Sequence, residues 1–407
     1  MRADVLIAGA GPVGLSAALA LGRAGRHVVV VTDGPGLSTE SRASTFHPPT
    51  VEMLDELGLA DEAISLGLRA PVFQFRDRGG DAVASFDLSE LADVTRYAYR
   101  LQLQQSRYTP LVVAALALLP NVEMRFDAPV TDVALHDDHV IVTAGGQAVE
   151  AQWCIGADGA HSAVRRSLGI EFDGMTYEDR YLVASTTFDF RNAFPDLAHV
   201  NYIADPREYL VLLNTPGAWR ALFPIRDGES DAEAIAPERV QARLQGIHPV
   251  PEGYTVLHTT LYKVHQRVAS TYRRGRVLLA GDAAHINNPL GGMGMNSGVH
   301  DAWFFAKTLV RMWSGIAEDR ELDAVAAWRR SVSVEHVKAT THGNYARLSA
   351  TDPAERAAYR SDMIAMAADP VRRRAYLLRT SLLESVRQYP AVVAGSAAGQ
   401  LADPGPR

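Results

Sequence analysis

Apolar residues near the start of the chain fall in continuous runs. Asp4 to Ala8 and His27 to Val31 are such runs, and Leu15 to Arg23 between them has helical character. Continuous apolar strands belong to parallel sheets buried on both faces, so the opening predicts a βαβ unit with a glycine turn from Gly9 to Gly14. Thr50 to Leu57 and Thr109 to Leu119 predict helices. Val130 to Val149 reads strand, turn, strand, with Asp137-Asp138 and Gly145-Gly146 at the turns, and predicts a small hairpin layer.

From about Tyr181 to His265 the pattern changes to short alternating segments: Tyr181 to Phe188, Tyr209 to Asn214, Trp219 to Ile225 and Thr255 to Tyr262. They predict an antiparallel sheet inserted between nucleotide-binding segments. Val277 to Ala280 returns to the buried parallel type, followed by a glycine-rich loop and a helix from Gly298 to Trp313. Beyond Asp319 the chain is mostly helical, with a loose tail after Gly395. The expected fold is α/β (α+β overall). A Rossmann-like nucleotide domain is assembled from residues 1–75, 98–172 and 266–345, with a substrate-binding sheet domain from 76–97 and 173–265. C-terminal helices and a tail take up residues 346–407.

Composition narrows the function classes. With 47% hydrophobic and 21% charged residues in 407, the chain has the balance of a globular protein with two sizeable cores. A net charge of −7 supplies no basic field for nucleic acid. The only cysteine, Cys154, can form neither an intrachain disulfide nor a CxxC pair, which suits a reducing compartment. No export signal is visible, and the longest uncharged apolar run, Leu111 to Leu119, is about half the ~20 residues that span a bilayer. A cytoplasmic protein without membrane or nucleic-acid partners is expected. No metal site is expected, and a homodimer is compatible with the sequence.

Gly9-Ala10-Gly11-Pro12-Val13-Gly14 follows one expected strand and opens one expected helix, the context in which G-x-G-x-x-G signifies dinucleotide binding. Gly9 permits the tight turn, Gly11 lets the backbone approach a pyrophosphate, and Gly14 allows close helix–strand packing. The helix N-terminus adds free N–H groups and a positive dipole end. The acid that would bind a ribose is expected about 20 residues on. That register falls at Thr32, with Asp33 one place later, so either residue is a candidate.

Two further segments carry a resemblance. Trp153-Cys154-Ile155-Gly156-Ala157-Asp158-Gly159 through Arg165 is similar to the Asp-Gly fingerprint of the flavoprotein aromatic hydroxylases, the family of para-hydroxybenzoate hydroxylase and phenol hydroxylase. Arg276 to His285 resembles that family's Gly-Asp segment, and the likeness continues through Pro289, Gly291, Gly292, Gly294 and Asn296 to Asp301. The resemblance implies FAD as cofactor, with NAD(P)H as a transient co-substrate. It assigns Asp282 to a ribityl hydroxyl and Asp158 to the pyrophosphate and nicotinamide region. Gly292, Gly294, Met295 and Asn296 would lie beside the flavin pyrimidine ring, where backbone N–H groups stabilise negative charge. Arg42 would contact the FAD phosphates, and Gln105, or Gln104 one register away, the ribityl chain. Pro289 resembles the proline on the flavin face where oxygen reacts.

The activity so implied is monooxygenation of a small aromatic or heteroaromatic substrate with O₂, through a flavin C4a-hydroperoxide. A base or proton relay would assist by deprotonating the ring's hydroxyl. His47, Tyr202 and Tyr209 are candidates by position, while His285 is as much a structural as a catalytic candidate. Substrate contacts are expected from the inserted sheet, including Phe188, Tyr202, Tyr209, Leu213 and Phe223. Two rivals stay open: a reductase or dehydrogenase of the same fold, and a non-catalytic flavin-binding sensor.

Overall fold

A computed structural model describes residues 2–39, 43–225 and 228–398. The opening forms β1 (Ala3–Ala8), α1 (Pro12–Arg23) and β2 (Val28–Val31). Both strands are buried almost throughout, as their unbroken apolar runs require. They are the centre of a parallel sheet in the order Val277–Leu279, Gln147–Gly156, β1, β2, Val122–Arg125. The hairpin layer forms as expected. Val140–Ala144 pairs with Val130–Leu135 and with Gln147–Gly156, turning through Gly145 and Gly146 at φ 57° and 75°.

A second sheet of eight strands lies alongside the first. Phe172–Thr186 is its spine, paired antiparallel with Val256–Ala269 on one side and Ala218–Ile225 on the other. One expectation needs correction: the sheet is not antiparallel throughout. Val200–Ala204 runs parallel to Val72–Asp77. These strands come from separate passes of the chain, so no hairpin dictates their relative direction. The strand Val72–Asp77 also takes the sheet's pairing upstream of the expected boundary at 76.

Helix α1 packs against Gly294–Trp313, which begins earlier than Gly298 because the glycine loop itself folds into the first turn. The helices after Asp319 close over both layers, and Leu377, Leu383 and Met363 join the core of the second sheet. The last helix, Tyr389–Ala398, runs through Gly395, so the expected loosening does not start there; residues 399–407 lie outside the described residues. Among the described residues no helix is long and apolar enough to cross a membrane.

Candidate active site

A cleft of about 980 Å³ opens where β1, β2 and Gln147–Gly156 end, lined by Ala8, Val31 and Ala157 among others. At Gly9, φ is 106° and a Cβ would stand 2.3 Å from Ala157 O, so only glycine lets the turn pass the neighbouring strand. Gly14 is absent from the cleft wall; its Cβ would meet Gly9 O at 2.0 Å, which makes it a packing residue. Gly11 is the reverse case. It lines the cleft, and nothing lies within 4 Å of a Cβ built there. No side chain caps α1, so its first N–H groups are available to an anion.

The remaining wall is largely made of residues expected from the sequence. Thr32 and Asp33 stand on it together. Gln105 lines it, whereas Gln104 turns away to donate to Thr215 Oγ1 at 3.2 Å and Pro216 O at 3.1 Å. Asp158 accepts from Val164 N through Oδ2 at 3.1 Å, while its buried Oδ1 has no partner. Arg165 makes no ion pair with Asp158. It donates to Ala283 O and Ala160 O, both at 2.9 Å, and stacks 3.8 Å from the centre of Phe172. Asp282 stands exposed on the one-turn helix Gly281–Ala283, and both it and Met295 line the cleft. Arg42 lies outside the described residues.

Beneath Asp282 is a buried ionic network. Asp301 accepts from Gly281 N at 3.2 Å, from His285 Nε2 at 2.8 Å and from Arg329 Nε at 2.8 Å. His285 therefore holds the backbone that presents Asp282 and does not face the cleft.

The glycine loop reaches the second candidate group. His47 is wholly buried, with Nε2 2.9 Å from Gly291 O. A carbonyl only accepts, so Nε2 carries the proton and Nδ1, which has no partner, is a bare acceptor. Burial first, then the nearby Arg100 charge, lower its pKa to about 3. Asn296 spends its whole amide on bracing: Nδ2 donates to Thr45 O and Gly292 O at 2.7 Å, and Oδ1 accepts from His47 N at 2.8 Å and Thr50 Oγ1 at 2.6 Å. Gly292 and Gly294 pack within this loop, their Cβ positions 3.1 Å from Thr45 and Asn287.

The candidate tyrosines lie on one face of the second sheet, in the same apolar cluster as Leu290, which follows Pro289. Tyr202 Oη accepts from Arg100 Nη1 at 3.3 Å. Tyr209 Oη meets Tyr181 Oη at 2.5 Å and donates to Asp179 Oδ2 at 3.5 Å; burial, with Tyr181 beside it, pushes its pKa far up. Leu213 packs against this cluster, but Phe188 and Phe223 belong to a separate one. Successive strand residues point to opposite faces, and Phe223 points away from the loop, while Phe188 lies past the end of the strand Phe172–Thr186.

Residues 2–340 match the family model described as FAD binding domain. The chain belongs to this FAD-binding family. A para-nitrophenol 4-monooxygenase of Pseudomonas sp. is 37% identical over 360 residues, which is 86% of this chain and 89% of that relative. A 6-hydroxy-3-succinoylpyridine 3-monooxygenase of Pseudomonas putida is 33% identical, over 87% of this chain and 91% of the relative. The crystal structure of a p-nitrophenol 4-monooxygenase from Pseudomonas putida superposes with a TM-score of 0.88 at 34% identity, covering 95% of this chain and 98% of that one. The chain is accordingly a flavoprotein monooxygenase of the aromatic hydroxylase type.

The cleft fits FAD on its own geometry. Gly11 leaves open the space a pyrophosphate needs, beside an uncapped helix N-terminus, and the unpartnered Asp158 Oδ1 is aligned along the same wall. Sequence reasoning missed Arg329 and Arg100. Neither stands in a recognisable motif, and each is buried against partners distant in the chain.

Proposed function

We propose that this FAD-dependent monooxygenase hydroxylates a small phenol or hydroxypyridine, with NAD(P)H as transient electron donor and O₂ as the oxygen source. The observation that carries the reading is the continuity of the cleft. One end is the pyrophosphate turn at Gly11, the other is Asp282 and Met295, and the loop next to Met295 is braced against the aromatic face of the second sheet. The named activities of the relatives, on p-nitrophenol and a hydroxylated pyridine, support that substrate size. The buried free thiol of Cys154 suits the cytoplasm.

Bound FAD supplies two-electron storage and oxygen activation. The chain's own residues bind, orient and exclude water. Gly9 to Val13 and the start of α1 would hold the pyrophosphate, and Asp282 a ribityl hydroxyl. The loop from Gly292 to Met295 would offer N–H groups to the pyrimidine ring, and Pro289 would bound the reacting face. Leu290 and the aromatic cluster around it keep that face dry. Neutral His47 offers Nδ1 as acceptor for a ring hydroxyl. Tyr209 keeps its proton, so it acts as a donor within the Tyr181 and Asp179 cluster; Tyr202 presents the guanidinium of Arg100.

Stopped-flow absorbance of the FAD-loaded protein with NADH or NADPH, with and without p-nitrophenol and hydroxypyridines, tests the reading. Ring-stimulated flavin reduction followed by ¹⁸O from O₂ in the product is expected. Reduction without oxygen insertion, or no ring effect, refutes it in favour of a reductase or a sensor.

A further inference from the structure

Arg100 is a buried cation without a counterion. It is 2% exposed, no carboxylate lies within 4.0 Å of it among the described residues, and its Nε is buried with no acceptor. Its neighbours are neutral. Nη1 donates to Tyr202 Oη at 3.3 Å, and the guanidinium carbon stands 4.1 Å from the centre of the Phe73 ring. Removing a guanidinium from water is costly unless an anion or several acceptors face it. Three other deeply buried arginines obey that rule: Arg76 faces Asp196, Arg329 faces Asp301, and Arg165 faces two carbonyls. Arg100 has a phenol and a ring face beside it in place of a carboxylate, which marks it as a charge held for something that binds.

Its position says where the ligand would lie. Arg100 opens the strand Arg100–Gln102, which pairs with Thr45–Phe46 directly before His47, and its charge acts on His47. Phe73 and Tyr202, which flank it, share the cluster of Leu290 at the glycine loop. A second arginine, Arg347, also makes no ion pair among the described residues, and its Nε is buried and unpartnered. Both arginines act on the phenol of Tyr376, which packs 6.3 Å from Phe73. Asp362 reaches the same phenol but is itself paired with Arg372. Two arginines without an ion pair among the described residues thus border one aromatic patch, which shares its cluster with Leu290 of the glycine loop.

We propose that Arg100 binds an anionic oxygen of the substrate, so that the enzyme selects rings bearing a phenolate or carboxylate over neutral rings of the same shape. This rests on the hydroxylase reading above. It adds a specificity determinant to it: the charged oxygen of the ring held against the Arg100 guanidinium.

The test measures ring binding to FAD-loaded protein from the perturbation of flavin absorbance. The probes are p-nitrophenolate and 4-hydroxybenzoate as anions, with p-cresol and 4-nitroanisole as neutral counterparts. Arg100→Met should weaken both anions by about 30-fold, equivalent to about 2 kcal/mol. Neutral rings should change by less than about 3-fold, and Arg100→Lys should recover part of the loss for the anions. FAD occupancy should be unchanged. The melting temperature should not fall, since a buried charge without a counterion is removed. Arg100→Gln, which keeps a neutral donor, carries the same test should the Met variant fail to fold. Equal losses for anionic and neutral rings, or none, overturn the assignment while leaving the hydroxylase reading intact. A wild-type protein that binds no ring at all overturns both.

Discussion

Replacing Asp301 by Asn should destabilise the folded protein by about 3 kcal/mol or more. The carboxylate is 0% exposed and accepts three hydrogen bonds, from Gly281 N, His285 Nε2 and Arg329 Nε. An amide of the same size has one oxygen to offer and an NH₂ that would face a donor. Arg329, also 0% exposed, would lose the carboxylate it pairs with, and breaking one side of a buried pair costs about 3–5 kcal/mol. That is more than 100-fold in the folding equilibrium, since about 1.4 kcal/mol is tenfold. Urea denaturation of the FAD-free protein, followed by tryptophan fluorescence, reads the change directly, because Trp328 stacks on Arg329 at 5.0 Å. A double-mutant cycle with Arg329→Met isolates the pair: the double variant should be more stable than the two single losses added together. An Asp301→Asn midpoint within about 0.5 kcal/mol of wild type, or strict additivity in the cycle, would refute the reasoning.

Gly11→Ala should fold as well as wild type yet lose FAD occupancy, because its methyl group enters open cleft space; Gly14→Ala should lower the melting temperature, because its methyl group strikes Gly9 O. Melting curves and the flavin-to-protein absorbance ratio separate the two, and identical behaviour would undo the distinction. Asp282→Ala should purify with less FAD, since the side chain lines the cleft; wild-type flavin content would remove Asp282 from the site. The depressed pKa of His47, about 3 against 6.5, means that the unfolded chain takes up its proton first. Stability is therefore full above about pH 6.5 and falls as pH drops towards 3, by up to about 1.4 kcal/mol per unit from this group. His47→Gln should flatten that slope in pH-dependent melting, and equal slopes would count against it. His300, His199 and His336, lowered in the same direction by burial, contribute to the slope that remains.

What was legible in the sequence was what backbone geometry demands. A left-handed turn passing 2.3 Å from a neighbouring carbonyl admits only glycine, so Gly9 is legible between its strand and helix and Gly14 follows at a fixed offset, whereas Asp158 is legible only through the resemblance of its own segment. Strand types were legible too, since burial on two faces and on one face leave different apolar periods. The parallel pairing of Val200–Ala204 with Val72–Asp77 was not, because nothing local encodes the direction of two strands from separate passes. Face assignment within the second sheet failed at Phe188 and Phe223 for a related reason. Alternation shows that a strand has two faces, and only the partner layer says which one meets the cofactor.

The two halves of the site differ in how they are built, and that explains why one half was read and the other was not. The cofactor half would present backbone to its ligand along one short stretch, from Gly9 to Val13, with Asp158 and Asp282 just past the ends of neighbouring strands. The proposed substrate half would be made of single side chains brought together from afar: His47 against Gly291, Arg100 against Tyr202, Tyr209 against Tyr181. Backbone contacts tolerate few sequences, whereas side-chain contacts can be exchanged one at a time without disturbing the sheet beneath them. A change at Arg100 or Tyr202 would therefore alter which ring is accepted while FAD binding stays intact.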